Sequence, residues 1–228
     1  MVARDFRTRL IRRAFKVGLF LNENLAAGLA SYYELLERWD RKINLTSLTD
    51  TDAAIDRLLL EPIIAARALT GMPIPHLMDV GSGGGSPAIP LAMALGPEVR
   101  LTMVEAKARK SAFLREAIRH LGLSHAAVEN SRYEELLTKP ELLEQFDLLS
   151  LRAVRVEPRV LMTLQAFLKP GGLMLLFRGP TGPDTPGNVI HPLQWQTTVP
   201  LLESLQSRLS ILKKRALGAG VPRGTLLT

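Results

Sequence analysis

The chain has 228 residues, 46% of them apolar and 5% aromatic, which suits one α/β domain with a full core and argues against a disordered binding tail. It contains no cysteine, which excludes disulfides, thiolate metal sites and thiol nucleophiles, and no metal is expected. Lys and Arg outnumber Asp and Glu by 29 to 22, giving a net charge of +7 that gathers near the two ends of the chain.

The first basic cluster is Arg4, Arg7, Arg9, Arg12, Arg13 and Lys16, with Asp5 as the single early acid; the second is Arg208, Lys213, Lys214, Arg215 and Arg223. Such clusters suit a polyanionic partner, and a solvated basic helix face has the same composition. Val17 to Phe20, followed by Asn22, Glu23 and Asn24, is too short and too interrupted for a membrane span or a signal-peptide core. No membrane association is expected, and the cytoplasm is the default location.

Ser31 to Ile43 predicts a helix, with Ser31 and Glu34 at capping-box spacing and Leu35, Leu36, Trp39 and Ile43 on one face. A further helix follows Thr51 and passes through Ile55, Leu58 and Leu59, with Pro62 kinking or restarting it. Residues 1–70 are therefore expected to form an N-terminal helical extension, and 71–228 one compact α/β unit.

From His76 short apolar runs alternate with amphipathic stretches. Leu77 to Val80, Val99 to Val104, Ala126 to Glu129, Asp147 to Leu151 and Leu173 to Phe177 predict five strands. Pro87 to Leu95, Lys107 to Leu121 and Glu157 to Leu168 predict crossover helices, stopped by Gly96, Gly122 and a Pro170-Gly171-Gly172 turn. This alternation implies a doubly wound, mostly parallel sheet with a ligand at the carboxyl ends of its strands. Gly179 to Asn188, rich in Pro and Gly, reads as a loop, and Thr197 to Leu202 with Arg208 to Lys214 reads as an antiparallel pair at the sheet edge.

The most informative run is Asp79-Val80-Gly81-Ser82-Gly83-Gly84-Gly85-Ser86-Pro87, an apolar strand end, a glycine loop and a helix start. Gly81, Gly83 and Gly85 permit a tight turn and close ligand approach. A dinucleotide loop would want glycine where Ser86 stands. The G-x-G-x-G form preceded by Asp79 instead resembles motif I of the class I S-adenosylmethionine-dependent methyltransferases. The next strand ends in Glu105, twenty residues after Gly85, where a carboxylate can accept hydrogen bonds from both ribose hydroxyls. The alternative is a surface Glu at a strand end. After the third strand, Tyr133 through its backbone or Glu134 would contact adenine.

After the fourth strand, Leu151-Arg152-Ala153-Val154 lacks the D/N-P-P-Y motif of enzymes that methylate exocyclic or amide nitrogen. Without cysteine, a covalent thiol route to cytosine carbon is excluded. An acceptor with its own exposed lone pair, such as N7 of guanine, needs no base, and no catalytic residue is assigned.

Taken together, several motifs in order resemble the glucose-inhibited division protein B family, bacterial small-subunit ribosomal RNA guanine-N7 methyltransferases. They are Trp39 with Asn44-Leu45-Thr46, the Asp79 to Gly83 loop with Pro87, Phe113-Leu114, Arg132 and Glu134, Arg152-Ala153, and Gly171-Gly172, within about Tyr32 to Gly179. The resemblance implies the class I methyltransferase fold, S-adenosylmethionine as cofactor and 16S ribosomal RNA, free or in the assembling small subunit, as partner. It places Gly81, Ser86, Tyr133, Glu134 and Arg152 at the cofactor, and Asn44, Arg57, Arg152 and Arg178 on the substrate side; a monomer is expected.

Departures mark a divergent member. The family's R-H-x-x-D-S is Arg57-Leu58-Leu59-Leu60-Glu61-Pro62, its Asp after the second strand is Glu105, and its lysine after the fifth is Arg178. A methyltransferase for another acceptor, or a non-catalytic RNA-binding assembly protein, are the alternatives. Trp39 is expected to be core rather than a stacking platform, and Asn44-Leu45-Thr46 an active-site wall rather than a cap. Arg152 is expected at the mouth of the site, holding phosphate, a guanine edge or the cofactor carboxylate, or else paired with Glu157 at the surface; Arg178 carries the same ambiguity.

Overall fold

The computed structural model describes residues 3–46, 50–152, 157–181 and 189–216. Ala153 and Val154, Arg223, the side chain of Arg4 and most of the Pro/Gly stretch after Gly179 lie outside the described residues.

Helix α1 (Ala3–Lys16) buries Phe6, Leu10 and Ala14 against α2 (Glu23–Ile43), where Phe6 stacks on Tyr33 at 4.3 Å. The second helix starts eight residues before the expected Ser31. Its cap is Asn22, whose side chain accepts from the Leu25 N–H at 2.8 Å. Ser31 lies inside the helix and bonds His120 across to another element at 2.9 Å. Trp39 packs on the core edge-on to Phe113, 5.8 Å between centroids, as its spacing predicts.

The next helical stretch is broken in three: α3 (Thr51–Ala54), a π-helical turn over Ile55–Leu60, and α4 (Glu61–Arg67) with Pro62 in its first turn. Proline has no N–H to donate and disturbs the preceding turn, so the widened register ends where Pro62 restarts the helix.

Strands β1 (His76–Val80), β2 (Arg100–Val104), β3 (Ala126–Glu129), β4 (Phe146–Arg152) and β5 (Leu168–Arg178) pair in parallel. They are joined by α5 (Ala88–Leu95), α6 (Ala108–Leu121) and α7 (Pro158–Leu164). Strands β6 (Leu193–Pro200) and β7 (Arg208–Lys214) add antiparallel pairing, in the order β3-β2-β1-β4-β5-β7-β6. The chain order reverses between β1 and β4, the switch point at which an open α/β sheet leaves a crevice.

Two expectations are corrected here. The Pro170-Gly171-Gly172 segment is part of the long β5 rather than a turn, with an irregular register opposite Phe146 and Leu148. Helix α7 ends at Leu164, and Leu168 opens β5.

Alternate strand residues bury on opposite faces: Leu175 and Phe177 join the cluster shared with α1, α2, α4, α5 and α6, while Met174 and Leu176 join the cluster under α7. The N-terminal helices thus share one core with the sheet, each fully buried Leu contributing roughly 1.5–3 kcal/mol. No helix among the described residues is long and apolar enough to cross a membrane.

Candidate cofactor site

The glycine loop begins where β1 ends. Gly81, Gly83 and Gly85 all adopt positive φ, at 75°, 54° and 86°. The φ of Gly85 favours glycine there, and a Cβ would also lie 2.8 Å from Ile89 Cδ1, which would have to shift. The Gly81 and Ser82 N–H groups donate to the Val104 carbonyl at 2.9 and 3.1 Å, and the Gly85 N–H to the Ser82 carbonyl at 2.6 Å. From the helical side, the Tyr32 hydroxyl donates to the Gly84 carbonyl at 2.6 Å. Tyr32 is fully buried, and burial raises its hydroxyl well above the usual range, keeping it a neutral donor.

Glu105 is 8% exposed and already bound: Oε2 accepts from the Gly83 N–H at 2.9 Å and Oε1 from the Lys107 N–H at 2.8 Å. The carboxylate ties the loop to the end of β2 and is buried, so it is not the surface Glu of the alternative reading. Each oxygen keeps a second lone pair. Beneath the loop, Asp79 is 1% exposed and accepts from the Ser150 hydroxyl at 2.5 Å. Burial pushes its carboxyl up to about 6, against the opposing pull of the Ser150 and Ser82 hydrogen bonds and of Arg152.

Arg152 is not at the mouth. Its side chain is 9% exposed and its partner is Glu61 rather than Glu157, with Nη2 2.9 Å from Glu61 Oε2. Nη1 donates to the Arg57 carbonyl and lies 3.5 Å from Ser86 Oγ, and the guanidinium sits 4.7 Å over the Phe177 ring. The Glu61 contact is a close charge pair without hydrogen-bond alignment, and Arg152 Nε and Glu61 Oε1 are buried without hydrogen-bond partners among the described residues. Burial pulls the guanidinium down to about 10, against the pull of Glu61, so it stays charged at neutral pH.

These groups border a cavity of about 310 Å³. Gly81 to Gly84, Ser86 and Arg152 line one side, and Tyr32, Leu36, Leu45, Thr46, Arg57, Leu58 and Lys110 the rest. Of the residues expected from sequence, Gly81, Gly83, Ser86, Arg57 and Arg152 therefore meet, with Asp79, Gly85 and Glu105 packed behind the loop.

The other four lie away from the cavity and the loop. Asn44 is exposed and is the left-handed C-cap of α2 at φ 50°, so the cap expectation replaces the wall for that residue. Its neighbours Leu45 and Thr46 do form wall, held by N–H bonds to Asp40 Oδ1 at 2.6 and 2.7 Å. Tyr133 is half-buried on the second core cluster with its hydroxyl raised by burial and by Glu134, and Glu134 itself is exposed. Arg178 closes β5 opposite Arg208.

Sequence reasoning missed Tyr32 and Lys110 and the role of Glu61. A tyrosine on an otherwise apolar helix face was the available signal, because a buried phenol needs an acceptor. Leu58, where the family pattern has histidine, contributes its carbonyl, which accepts from the Ser86 hydroxyl at 2.7 Å.

Part of each basic cluster is consumed internally. Arg7 pairs with Glu23, Arg9 with Asp52, and Arg13 with Asp52 and Asp56, while Lys214 is buried against Glu144.

The sequence model of the family described as rRNA small subunit methyltransferase G matches residues 26–185. Curated relatives named ribosomal RNA small subunit methyltransferase G include that of Xanthomonas axonopodis pv. citri, 36% identical over 85% of this chain and 89% of that one. That of Stenotrophomonas maltophilia K279a is 35% identical over 70% and 71%. Among solved structures, a candidate O-methyltransferase from Klebsiella pneumoniae aligns with TM-score 0.61 at 13% identity, over 91% of this chain and 97% of that chain. A variant of MtNAS in complex with S-adenosylmethionine aligns with TM-score 0.53 at 13% identity, over 82% and 72%. These two likenesses show the fold, that of the class I methyltransferases.

Proposed function

We infer the function from the premise that this chain belongs to the rRNA small subunit methyltransferase G family: it is an S-adenosylmethionine-dependent methyltransferase acting on N7 of a guanine in 16S ribosomal RNA. One observation carries the residue assignment. A buried guanidinium with an N–H left unpartnered among the described residues lines the same cavity as the positive-φ glycine loop.

The groups present fit the cofactor. Its carboxylate would find Arg152 and the loop backbone, and the loop lets ligand approach without a Cβ in the way. Its ribose would find the free lone pairs of Glu105, while Asp79 holds the strand end through Ser150. Its base would border the turn carrying Tyr133 and Glu134. When bound, the cofactor supplies a sulfonium-activated methyl group.

On the acceptor side, guanine N7 presents its own lone pair, which would take the methyl group supplied by the bound cofactor, N–CH3 replacing S–CH3 and the positive charge moving to the purine ring. No proton leaves N7, so the residues at the cavity need only bind, align and exclude water. Arg57, lining the cavity, and Arg178 and Asn44, farther out, are proposed to meet the RNA. The same reading places the chain in the cytoplasm as a monomer, with residues 1–70 as an extension of the catalytic unit 71–228.

Transfer of labelled methyl from S-adenosylmethionine tests the reading, using small-subunit RNA, small-subunit particles, protein and metabolite pools as acceptors. The expected product is 7-methylguanine at one position of 16S RNA, missing from cells that lack the chain. Label confined to protein or small molecules would refute it.

A further inference from the structure

The outward face of α1 and the turn after it carry a surface that the cofactor site does not use. Phe15 is 67% exposed and Phe20 86%, and their rings meet edge-on at 5.9 Å; Ile11 and Val17 beside them are 38% and 40% exposed. Scattered exposed apolar residues need no explanation, whereas two exposed rings in contact do. Phe20 is not a frayed end. Leu19 before it is 3% exposed, Asn22 after it caps α2, and the Arg67 guanidinium holds the turn at the Gly18 carbonyl, 2.9 Å away.

The charge around these rings is selective. Arg7, Arg9 and Arg13 are spent on ion pairs with Glu23, Asp52 and Asp56. Arg12 and Lys16, one helical turn apart and adjacent to Ile11 and Phe15 in sequence, are exposed and have no acidic partner among the described residues. The helix is fastened by Arg13 to Asp56, next to Arg57 and Leu58 of the cavity wall.

We propose that this face is an RNA-docking surface, on which an unpaired base of the ribosomal RNA stacks against Phe15 and Phe20 while Arg12 and Lys16 neutralise the flanking phosphates. The proposal rests on the function inferred above. Exposed π-faces flanked by unspent cations are the elements that hold single-stranded nucleic acid without reading its sequence. The ion pairs of the neighbouring arginines leave Arg12 and Lys16 as the local positive charge, which complements a phosphate backbone.

The test uses the full chain in three forms: wild type, Phe15→Ala with Phe20→Ala, and Arg12→Ala with Lys16→Ala. Methyl transfer to small-subunit RNA is measured beside calorimetric titration of S-adenosylmethionine and a thermal melt. Loss of stacking should raise KM for RNA about ten-fold or more, with kcat and cofactor affinity at wild-type values. Removing both cations should weaken RNA binding and flatten its dependence on log salt by about 1.4, two single-strand contacts at ~0.7 each. Phe15→Trp should lower KM, which a purely structural role for Phe15 would not give.

An unchanged KM in both double variants, with wild-type transfer intact, overturns the docking surface and leaves the enzyme reading standing. If the wild type transfers no methyl group to RNA, the enzyme reading fails and the proposal with it. If the variants lose binding to anionic phospholipid vesicles or to small-subunit proteins while their RNA KM is unchanged, the face belongs to that other partner and the proposal is wrong.

Discussion

Replacing Glu61 by Ala would strand the Arg152 guanidinium in a site where it is only 9% exposed and Glu61 only 2%. Removing one partner of a buried ion pair costs about 3–5 kcal/mol, because the remaining charge keeps its desolvation penalty without its counter-charge. Here the lower end of that range is expected. The pair lacks hydrogen-bond alignment, and Arg152 would retain the Arg57 carbonyl and the Phe177 ring face. For a chain of 228 residues, ~3 kcal/mol corresponds to a fall in Tm of roughly 6–12 °C. Urea denaturation at pH 7 gives the free energy directly, and calorimetry on the folded variant gives cofactor affinity. The companion variant, Glu61→Leu with Arg152→Met, removes both charges and should recover most of the lost stability while failing to bind cofactor. A cost below ~1 kcal/mol for Glu61→Ala, or a double variant no more stable than the sum of its single losses, would refute the buried-pair argument.

Four further outcomes follow from the same geometry. Arg152→Lys should bind cofactor nearly as poorly as Arg152→Ala, since an ammonium cannot serve the Arg57 carbonyl, Glu61 and a ligand carboxylate together; calorimetric titration of both variants decides it. Glu105→Ala should lose on the order of 1.5–3 kcal/mol of cofactor affinity and also some stability, because the Gly83 and Lys107 N–H groups lose their acceptor; unchanged affinity with a lowered melt would leave Glu105 a loop tie alone. Tyr32→Phe should weaken cofactor binding a few-fold with little unfolding, as only the Gly84 carbonyl is released, and a titration equal to wild type would reject Tyr32 as a positioning residue. Asp79 has a native pKa of about 6, above the ordinary value near 3.9, so the native state binds the extra proton and its contribution to stability falls as pH rises through that window. Asp79→Asn should therefore be the more stable form at pH 7.5, by on the order of 2–3 kcal/mol, with the advantage fading toward pH 4; a difference independent of pH in urea melts would contradict the raised pKa.

What the sequence determined by itself is what short-range physics encodes. Five strands and three crossover helices were legible because strand and helix periods are local, and the glycine loop because positive φ at Gly81, Gly83 and Gly85 is a property of those residues. Element ends were less legible: Ser31 carries a capping signal, yet α2 continues through it because Asn22 caps earlier and Ala26, Leu29 and Ala30 are buried. Pro170-Gly171-Gly172 reads as a turn until β4 and β5 are placed side by side.

The site divides in the same way. Its glycines and Ser86 were visible in one short run, and Glu105 at the next strand end, but the partner of Glu105 was not, because a carboxylate facing a ribose and one facing a loop N–H occupy the same sequence position. Only the tertiary structure brought Glu61 to Arg152, Tyr32 to Gly84 and Ser150 to Asp79, pairs separated by at least 52 residues along the chain. A buried charge, phenol or carboxyl must find a partner or incur its desolvation cost, but which partner it finds depends on the crossing of helices over the sheet, and that is fixed by packing the whole core at once.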